Sequence, residues 1–252
     1  MNGRRIAIVV VALVAAVVVG GIALYTTFLA GDNVAELGLD TPAPSAAATS
    51  SAGAPSASVG ASTSDPGASA ATGDLAGAWT VASGVAGYRV RETFLQQNAE
   101  TDAVGRTQDV TGSLTVDGEV GSLRLVSTQV IVDMTTLRSD RDRRDAQLRG
   151  RGIQSDTFPT STFDLATPVA LPADFGSTDM AVTLPGKLTL HGVVKDVAIE
   201  ARARVEADGT VVVAGSLPIV FADYGIEAPN VAGIIAVQDS GTMEFRLVFA
   251  KG

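Results

Sequence analysis

The feature that most constrains the fold is a strict alternation of apolar and polar side chains in the last two-thirds of the chain. Apolar residues occupy every second position in residues 197–205, and charged or small residues lie between them. The same pattern returns in residues 243–249, 162–166 and 113–117. Alternation with a period of two is typical of β-strands that bury one face and expose the other. These segments therefore predict strands of one antiparallel kind.

About eight to ten such strands are predicted in all. Asp117-Gly118 and Asp208-Gly209 lie between alternating runs, and each pair is a strong signal for a hairpin turn. An antiparallel sheet of that size must close or stack to remove its unpaired edges. We therefore predict an all-β antiparallel barrel, with a two-sheet sandwich as the alternative. The predicted strands lie near residues 79–82, 87–95, 110–117, 121–132, 160–168, 179–190, 194–206, 210–221 and 241–249.

One segment, residues 137–153, breaks the alternation. It is charged and rich in helix-forming residues, so it predicts one or two short helices across an end of the barrel. Ser139 or Asp140 can cap the start, and Gly150 can end it.

The charges of this segment allow three interpretations. They form a solvated helix face, which is the usual role of mixed charges. Alternatively, Asp133 or Asp145 pairs with an arginine and holds the helix over the barrel mouth. In the third interpretation, Arg141, Arg144 and Arg149 meet anionic head groups at a membrane.

The start of the chain has the pattern of a membrane anchor. Arg4 and Arg5 precede a run without any charge, residues 6–30, which exceeds the roughly 20 residues that span a hydrocarbon core. Because the basic residues come first, the rest of the chain is predicted to lie outside the cytoplasm. Residues 1–31 are thus predicted to be a single-pass cell-membrane anchor with a short cytoplasmic N-terminus. A cleaved signal peptide is the alternative.

A low-complexity stretch follows. Apart from Val59 and Asp65, residues 41–73 are all Ala, Ser, Thr, Pro or Gly, which bury too little apolar surface to fold. We therefore predict a flexible linker over residues 32–74 and one folded domain over residues 75–252.

Composition excludes several classes of function. The chain has no cysteine and a single histidine, so thiolate metal sites and histidine relays are excluded. Its formal net charge of -9 argues against nucleic acid as a partner. No local nucleophile–base set and no Gly-rich phosphate loop is present. The sequence therefore predicts a protein that is not an enzyme and needs no metal or cofactor; it leaves the oligomeric state open.

Four sequence blocks carry a resemblance to a known family. The first is GKLTLHGVVKDV, residues 186–197, and the second is VIVDMTTL, residues 130–137, followed by RDAQL. The third is FPTSTF, residues 158–163, and the fourth is FADYGI, residues 221–226. In order and spacing these blocks resemble the YceI family.

The resemblance extends over nearly all of residues 79–249. It implies a lipocalin-like (YceI-like) barrel associated with binding polyisoprenoids or similar amphipathic lipids. The expected function is therefore an extracytoplasmic, membrane-tethered lipid-binding module with an isoprenoid or fatty amphiphile in its barrel. The alternative is a non-enzymatic envelope scaffold with a filled barrel.

The ligand is expected at the inward strand positions and at the barrel mouth. Small residues in the middle of one inward row, Ala201 and Ala203, leave room that leucines would close. The predicted ligand-binding residues are Phe94, Leu114, Val116, Phe163, Leu165, Leu188, Leu190, His191, Ile199, Ala201, Ala203, Phe221, Tyr224, Phe245 and Leu247.

Two features leave alternatives open. His191, the only imidazole, either supports its turn through hydrogen bonds or contacts a ligand head group. The Gly- and Pro-containing segment 223–238 is either a flap at the ligand entrance or a loop packed on the outside of the barrel.

Overall fold

The described part of the chain comprises one barrel and one short segment that precedes it. In the computed structural model, the described residues are 34–42, 75–95, 99–176, 178–228 and 235–252. The predicted anchor and most of the predicted linker lie outside these ranges. Among the described residues, no helix has the length and apolar character needed to cross a bilayer.

Antiparallel strands form a sheet that closes on itself. In chain order they are β1 (Gly77–Phe94), β2 (Ala99–Thr107), β3 (Val110–Asp117), β4 (Arg124–Asp133), β5 (Arg138–Ser139), β6 (Thr160–Leu165), β7 (Val169–Ala170), β8 (Met180–Leu190), β9 (Val193–Val205), β10 (Val211–Val220), β11 (Ile235–Val237) and β12 (Ser240–Lys251). The closed ring runs β1-β3-β4-β6-β8-β9-β10-β12, and β12 pairs with β1. The prediction of an all-β antiparallel barrel is thus confirmed, and the sandwich alternative is wrong.

The long strand β1 organises the sheet, because both of its edges are used along most of its length. Its first part pairs with β3, its second part pairs with β2, and β12 and β11 follow the opposite edge. The register against β12 shifts between Val81 and Ser83, which marks a β-bulge. Trp79 is buried before the bulge, and Ala86, Val90 and Phe94 are buried after it. The bulge therefore exchanges the parity of the inward positions.

Three sequence predictions are corrected here. Residues 79–82 and 87–95 are not separate strands but parts of β1. Strand β2 was not predicted, because AETDAVGRT has no apolar alternation; pairing with β1 along its whole length makes it a strand. The segment 223–238 is not one long loop, since its start belongs to a 3₁₀ turn and its end forms β11 against β1. Residues 229–234 lie outside the described residues.

A single α-helix, α1 (Asp142–Gly150), forms within the predicted charged segment. The 3₁₀ turns Met134–Thr136 and Phe221–Tyr224 are the other helical pieces among the described residues. The predicted end at Gly150 is confirmed, but the predicted cap is wrong. The N-cap is Arg141, which makes no side-chain capping bond.

An aspartate inside the first turn of α1 fixes the preceding chain instead. The carboxylate of Asp145 accepts hydrogen bonds from the Ser139 backbone N–H at 3.0 Å and from its hydroxyl at 2.7 Å. Its negative charge also lies at the favourable end of the helix dipole. The carboxylate therefore stabilises both β5 and the start of the helix.

Buried apolar side chains form two clusters along the barrel. One is built around Trp79, Phe163 and Phe249. The other includes Leu188 and Phe221, and it packs toward the end of the barrel that α1 covers. We call this end, where β1 finishes and α1 lies, the mouth.

Residues 34–42 lie across the outer surface of the barrel, and we call them the strap. Leu37 and Leu39 are only 8% and 6% exposed. Leu39 packs with Val212 and Ala214, which are buried on the outward face of β10. The strap therefore covers apolar surface that would otherwise be exposed to water.

Polar contacts extend the strap over five strands. Arg89 Nη2 donates to the Val34 carbonyl at 2.8 Å, and an Arg106 N–H donates to the carbonyl of Ala35. At the other end, Arg204 Nη2 lies 2.9 Å from Asp40 Oδ1. These arginines belong to β1, β2 and β9, so the strap crosses the seam at which β12 and β1 close the barrel.

The strap differs from the predicted organisation. Its nine residues fall within the predicted flexible linker, 32–74, yet they are packed against the domain. The reason is that Leu39 packs against apolar residues of β10, a contact between distant segments that no local sequence pattern indicates. The remaining domain boundaries stay predictions.

Candidate ligand-binding cavity

A cavity of about 230 Å³ occupies the interior of the barrel. On the same measure a single buried water needs about 10–15 Å³, so the space holds far more than one water. Its lining is almost entirely apolar and comes mostly from the inward positions of the ring strands, with further residues from α1 and the loops at its ends. A space of this kind gives water few hydrogen-bond partners and favours an apolar occupant.

Most of the residues predicted to contact a ligand line this cavity. The ten that do are Leu114, Val116, Phe163, Leu188, Leu190, Ile199, Ala203, Phe221, Phe245 and Leu247. Ligand contact at these positions stays a prediction.

The other five predicted residues lie elsewhere. Ala201 is buried among core side chains, and Leu165 is packed against the same cluster. Phe94 lies at the end of β1 under the guanidinium of Arg141, 5.8 Å from its ring centre. Tyr224 and His191 lie close together beside the mouth.

His191 and Gly192 form the two-residue turn between β8 and β9. Both have positive φ, 52° and 74°, as a type I′ hairpin turn requires. His191 Nδ1 lies 2.9 Å from the Tyr224 carbonyl oxygen, and the ring of Phe158 packs against the imidazole with centres 4.3 Å apart. These contacts fit the structural interpretation of the histidine, which does not line the cavity.

A polar cluster interrupts the apolar lining at the mouth. Glu92 points inward from β1, and Arg144 reaches it from α1 with Nη2 3.0 Å from Glu92 Oε2. Both side chains are largely buried. Arg144 also forms an ion pair with Asp140. Burial opposes the charge of Arg144, but Glu92 and Asp140 raise the pKa of its guanidinium above the ordinary value.

This ion pair replaces the one predicted to hold the helix. Asp133 accepts from the N–H and hydroxyl of Thr135, and Asp145 accepts from Ser139. Neither carboxylate has an arginine partner among the described residues. An arginine–carboxylate pair does hold the helix, but the prediction of Asp133 or Asp145 as the carboxylate is wrong, because the carboxylate is that of Glu92.

Tyr88 completes the cluster. Its ring lines the cavity two positions before Val90 on the inward face of β1. The phenolic oxygen is buried, and its polar neighbours are the side chains of Ser139, Glu92 and Arg144. A buried hydroxyl gains from each hydrogen bond it makes, so a polar atom of an occupant can bind to this group.

We expect the free energy of unfolding to fall as the pH rises above about 10, the usual pKa of a phenol. Burial raises the pKa of Tyr88 above that value, with the Arg144 guanidinium opposing the shift. The folded state therefore holds the phenolic proton of Tyr88 more tightly than the unfolded chain does. The neutral phenol stabilises the folded state fully below the pKa of the unfolded chain, and this stabilisation is lost as the pH rises above that value. Urea unfolding of the Tyr88→Phe variant between about pH 9 and about pH 11 should show a flatter profile.

The matched variant is Tyr224→Phe, because burial also raises the pKa of Tyr224, though its ring lies outside the cavity. A Tyr88→Phe profile that superimposes on that of the parent chain would contradict the assignment.

Several lining residues were not predicted from the sequence. Val213, Leu217 and Ile219 sit on alternate positions of β10, so the period-two pattern could have identified them. Glu92 and Arg144 could not have been identified, because the bulge in β1 and the position of α1 decide that they face each other. Within the described ranges, no group of three or more His, Asp or Glu side chains is arranged to hold a metal ion.

The fold and cavity define a class, the small antiparallel β-barrels that enclose an apolar cavity. The profile of the YceI-like domain matches residues 79–249, about two-thirds of the chain. The chain therefore belongs to the YceI-like family. Among curated proteins, no sequence matches it significantly.

Several solved structures are similar to this chain. A polyisoprenoid binding domain from Saccharophagus degradans, implicated in plant cell wall breakdown, superimposes with a TM-score of 0.52 and 18% identity, covering 69% of this chain and 98% of that domain. BcnA of Burkholderia cenocepacia gives 0.45 with 22% identity over 64% and 95% of the two chains. The Campylobacter jejuni YceI protein gives 0.43 with 16% identity over 59% and 84%.

Proposed function

We propose that this protein is a membrane-tethered, extracytoplasmic lipid-binding module that holds an isoprenoid or a similar amphipathic lipid in its barrel. The observation that carries the proposal is the apolar cavity of about 230 Å³ inside the barrel. Membership of the YceI-like family and the fold shared with a polyisoprenoid binding domain support the same ligand class. The function is binding, without a chemical step.

Apolar burial supplies the driving force in this proposal. A chain that buries about 300 Å² of apolar surface gains roughly 7 kcal/mol at about 25 cal/mol per Å². The polar cluster of Tyr88, Glu92 and Arg144 gives the ligand its orientation, because a head group with oxygen atoms can accept from the Tyr88 hydroxyl. An apolar tail then extends toward Phe163 and Leu247.

The alternative, an envelope scaffold with a filled barrel, has less support. A filled barrel would place bulky side chains where the inward row has Ala203, and that position lines open space instead. The tether and the extracytoplasmic location rest on the sequence of residues 1–31.

Mass spectrometry of lipids that copurify with the chain tests the proposal. The full chain is purified from membranes in a mild detergent and extracted with organic solvent. We expect an amphipathic lipid with a long apolar chain at about one molecule per protein. A ligand-free extract, together with no uptake of an added polyprenol or fatty acid, would overturn lipid binding.

A further inference from the structure

The segment around α1, which lies at the mouth, carries more positive than negative charge in an otherwise acidic domain. Residues 138–151 contain six arginines and three aspartates, whereas the whole chain has a net charge of -9. Arg138, Arg143 and Arg151 are exposed to solvent. Within the described residues, no salt bridge engages these three side chains. A positive surface of this kind attracts anions.

Fixed contacts hold α1 against the end of β1. Arg144 is bound to Glu92, and Arg141 lies over the ring of Phe94, so α1 is anchored to the last residues of β1. The next residue, Leu95, is 51% exposed. An exposed leucine at the end of the strand that anchors α1, together with exposed arginines in the segment of α1, supplies the two elements that bind proteins to anionic membrane surfaces.

The strap brings the preceding chain to the same region. Val34 lines a groove on the outside of the barrel together with Arg138, Arg141 and Arg144. If residues 6–30 are the membrane anchor, only about three residues separate the anchor from the strap. Three residues span about 10 Å at most, which keeps this groove near the bilayer.

We propose that the mouth is a membrane-docking face that seats on anionic phospholipid through the arginines of residues 138–151 and the side chain of Leu95. Docking turns the polar cluster and the cavity behind it toward the bilayer, the source of the ligand. The inference rests on the proposed lipid-binding function and adds the surface from which the lipid is taken. Charge complementarity selects anionic phospholipid over neutral phospholipid as the occupant.

Fluorescence from single labelled cysteines tests the docking. The chain has no native cysteine, so Leu95→Cys can be labelled with an environment-sensitive fluorophore in the full chain. After reconstitution into vesicles that contain phosphatidylglycerol, its emission should shift to the blue. The matched site is Val120→Cys, which is 70% exposed in the β3–β4 turn at the opposite end of the barrel and should not shift.

Charge variants and added salt provide a second test of the docking face. The triple variant Arg138→Gln, Arg143→Gln, Arg151→Gln should weaken the docked state on the order of 100-fold and abolish the shift at position 95. The control triple variant, Arg124→Gln, Lys187→Gln, Arg202→Gln, removes the same number of positive charges outside residues 138–151. It should keep the emission shift at position 95. Salt at roughly 1 M, where the Debye length is about 3 Å, should also abolish the shift.

Each result decides one of the two proposals. An equal shift in pure phosphatidylcholine, at position 120, or in the triple variant at the mouth would overturn the docking face. If lipid still copurifies in that case, the lipid-binding function stands. If no lipid is recovered but the shift occurs as expected, the docking face stands and the lipid-binding function fails.

Discussion

The Ala203→Phe variant should lose at least about 90% of its bound lipid while it remains folded. Ala203 lines the cavity from β9, and the residue is 4% exposed. A phenyl ring at this position extends into the space that the ligand needs. Because the ring enters a cavity instead of a packed core, we expect the free energy of unfolding to change by less than about 1 kcal/mol. Lipid per protein is measured by mass spectrometry, and stability by urea unfolding.

The matched control lies on the same strand with the opposite orientation. Ala198 is exposed on the outer face of β9, so Ala198→Phe should leave the amount of bound lipid unchanged. Full lipid recovery from a folded Ala203→Phe protein would show that the ligand, if any, lies outside this cavity.

The second large effect is expected on stability, at the outer face of β12. Glu244 is 3% exposed, and its carboxylate lies 2.9 Å from Arg106 Nη2 and 3.5 Å from Arg89 Nη2. The Leu37 N–H of the strap donates to the same carboxylate at 3.2 Å. Replacing Glu244 with alanine leaves two largely buried guanidinium groups without this anion, which typically costs about 3–5 kcal/mol.

Urea unfolding of the Glu244→Ala variant should show this loss, and limited proteolysis should cut the strap faster, because the strap loses one of its anchors. The control is Asp196→Ala, which removes an ion pair with Lys187 that is exposed on both sides. Exposed pairs contribute only about 0–1 kcal/mol, so this variant should unfold near the parent transition. Equal stabilities of the two variants would show that Glu244 does not organise the outer face.

The outer face of β12 also shows why alternation predicts strands better than it predicts exposure. The pattern in residues 243–249 predicts that Glu244 and Arg246 face water. Both are buried, since the strap covers them and Arg246 Nε donates to the Leu39 carbonyl at 3.2 Å. Alternation with a period of two assigns residues to the two faces of a strand. Whether the second face is exposed to solvent depends on whether a distant segment covers it.

The cavity was predictable in part for the same reason. Inward residues on β3, β8, β9 and β12 follow their local alternation, and most of them line the cavity. The polar cluster could not be predicted from the sequence, because the bulge between Val81 and Ser83 changes which residues of β1 point inward. Ala201 and Ala203 illustrate the remaining limit. Alternation treats them alike, yet only Ala203 borders the open space.

By itself, the sequence predicted that the domain consists of antiparallel strands, that the charged segment 137–153 contains a helix, and that Asp117-Gly118 and Asp208-Gly209 form turns between strands. These properties are local, because side-chain periodicity and turn residues act over a few positions. Only the tertiary structure decided that the strap crosses the barrel seam, that β2 is a strand, and that Arg144 meets Glu92 at the mouth. Each of these depends on contacts between segments far apart in the chain, or on a register shift, and neither is encoded in a short window of sequence.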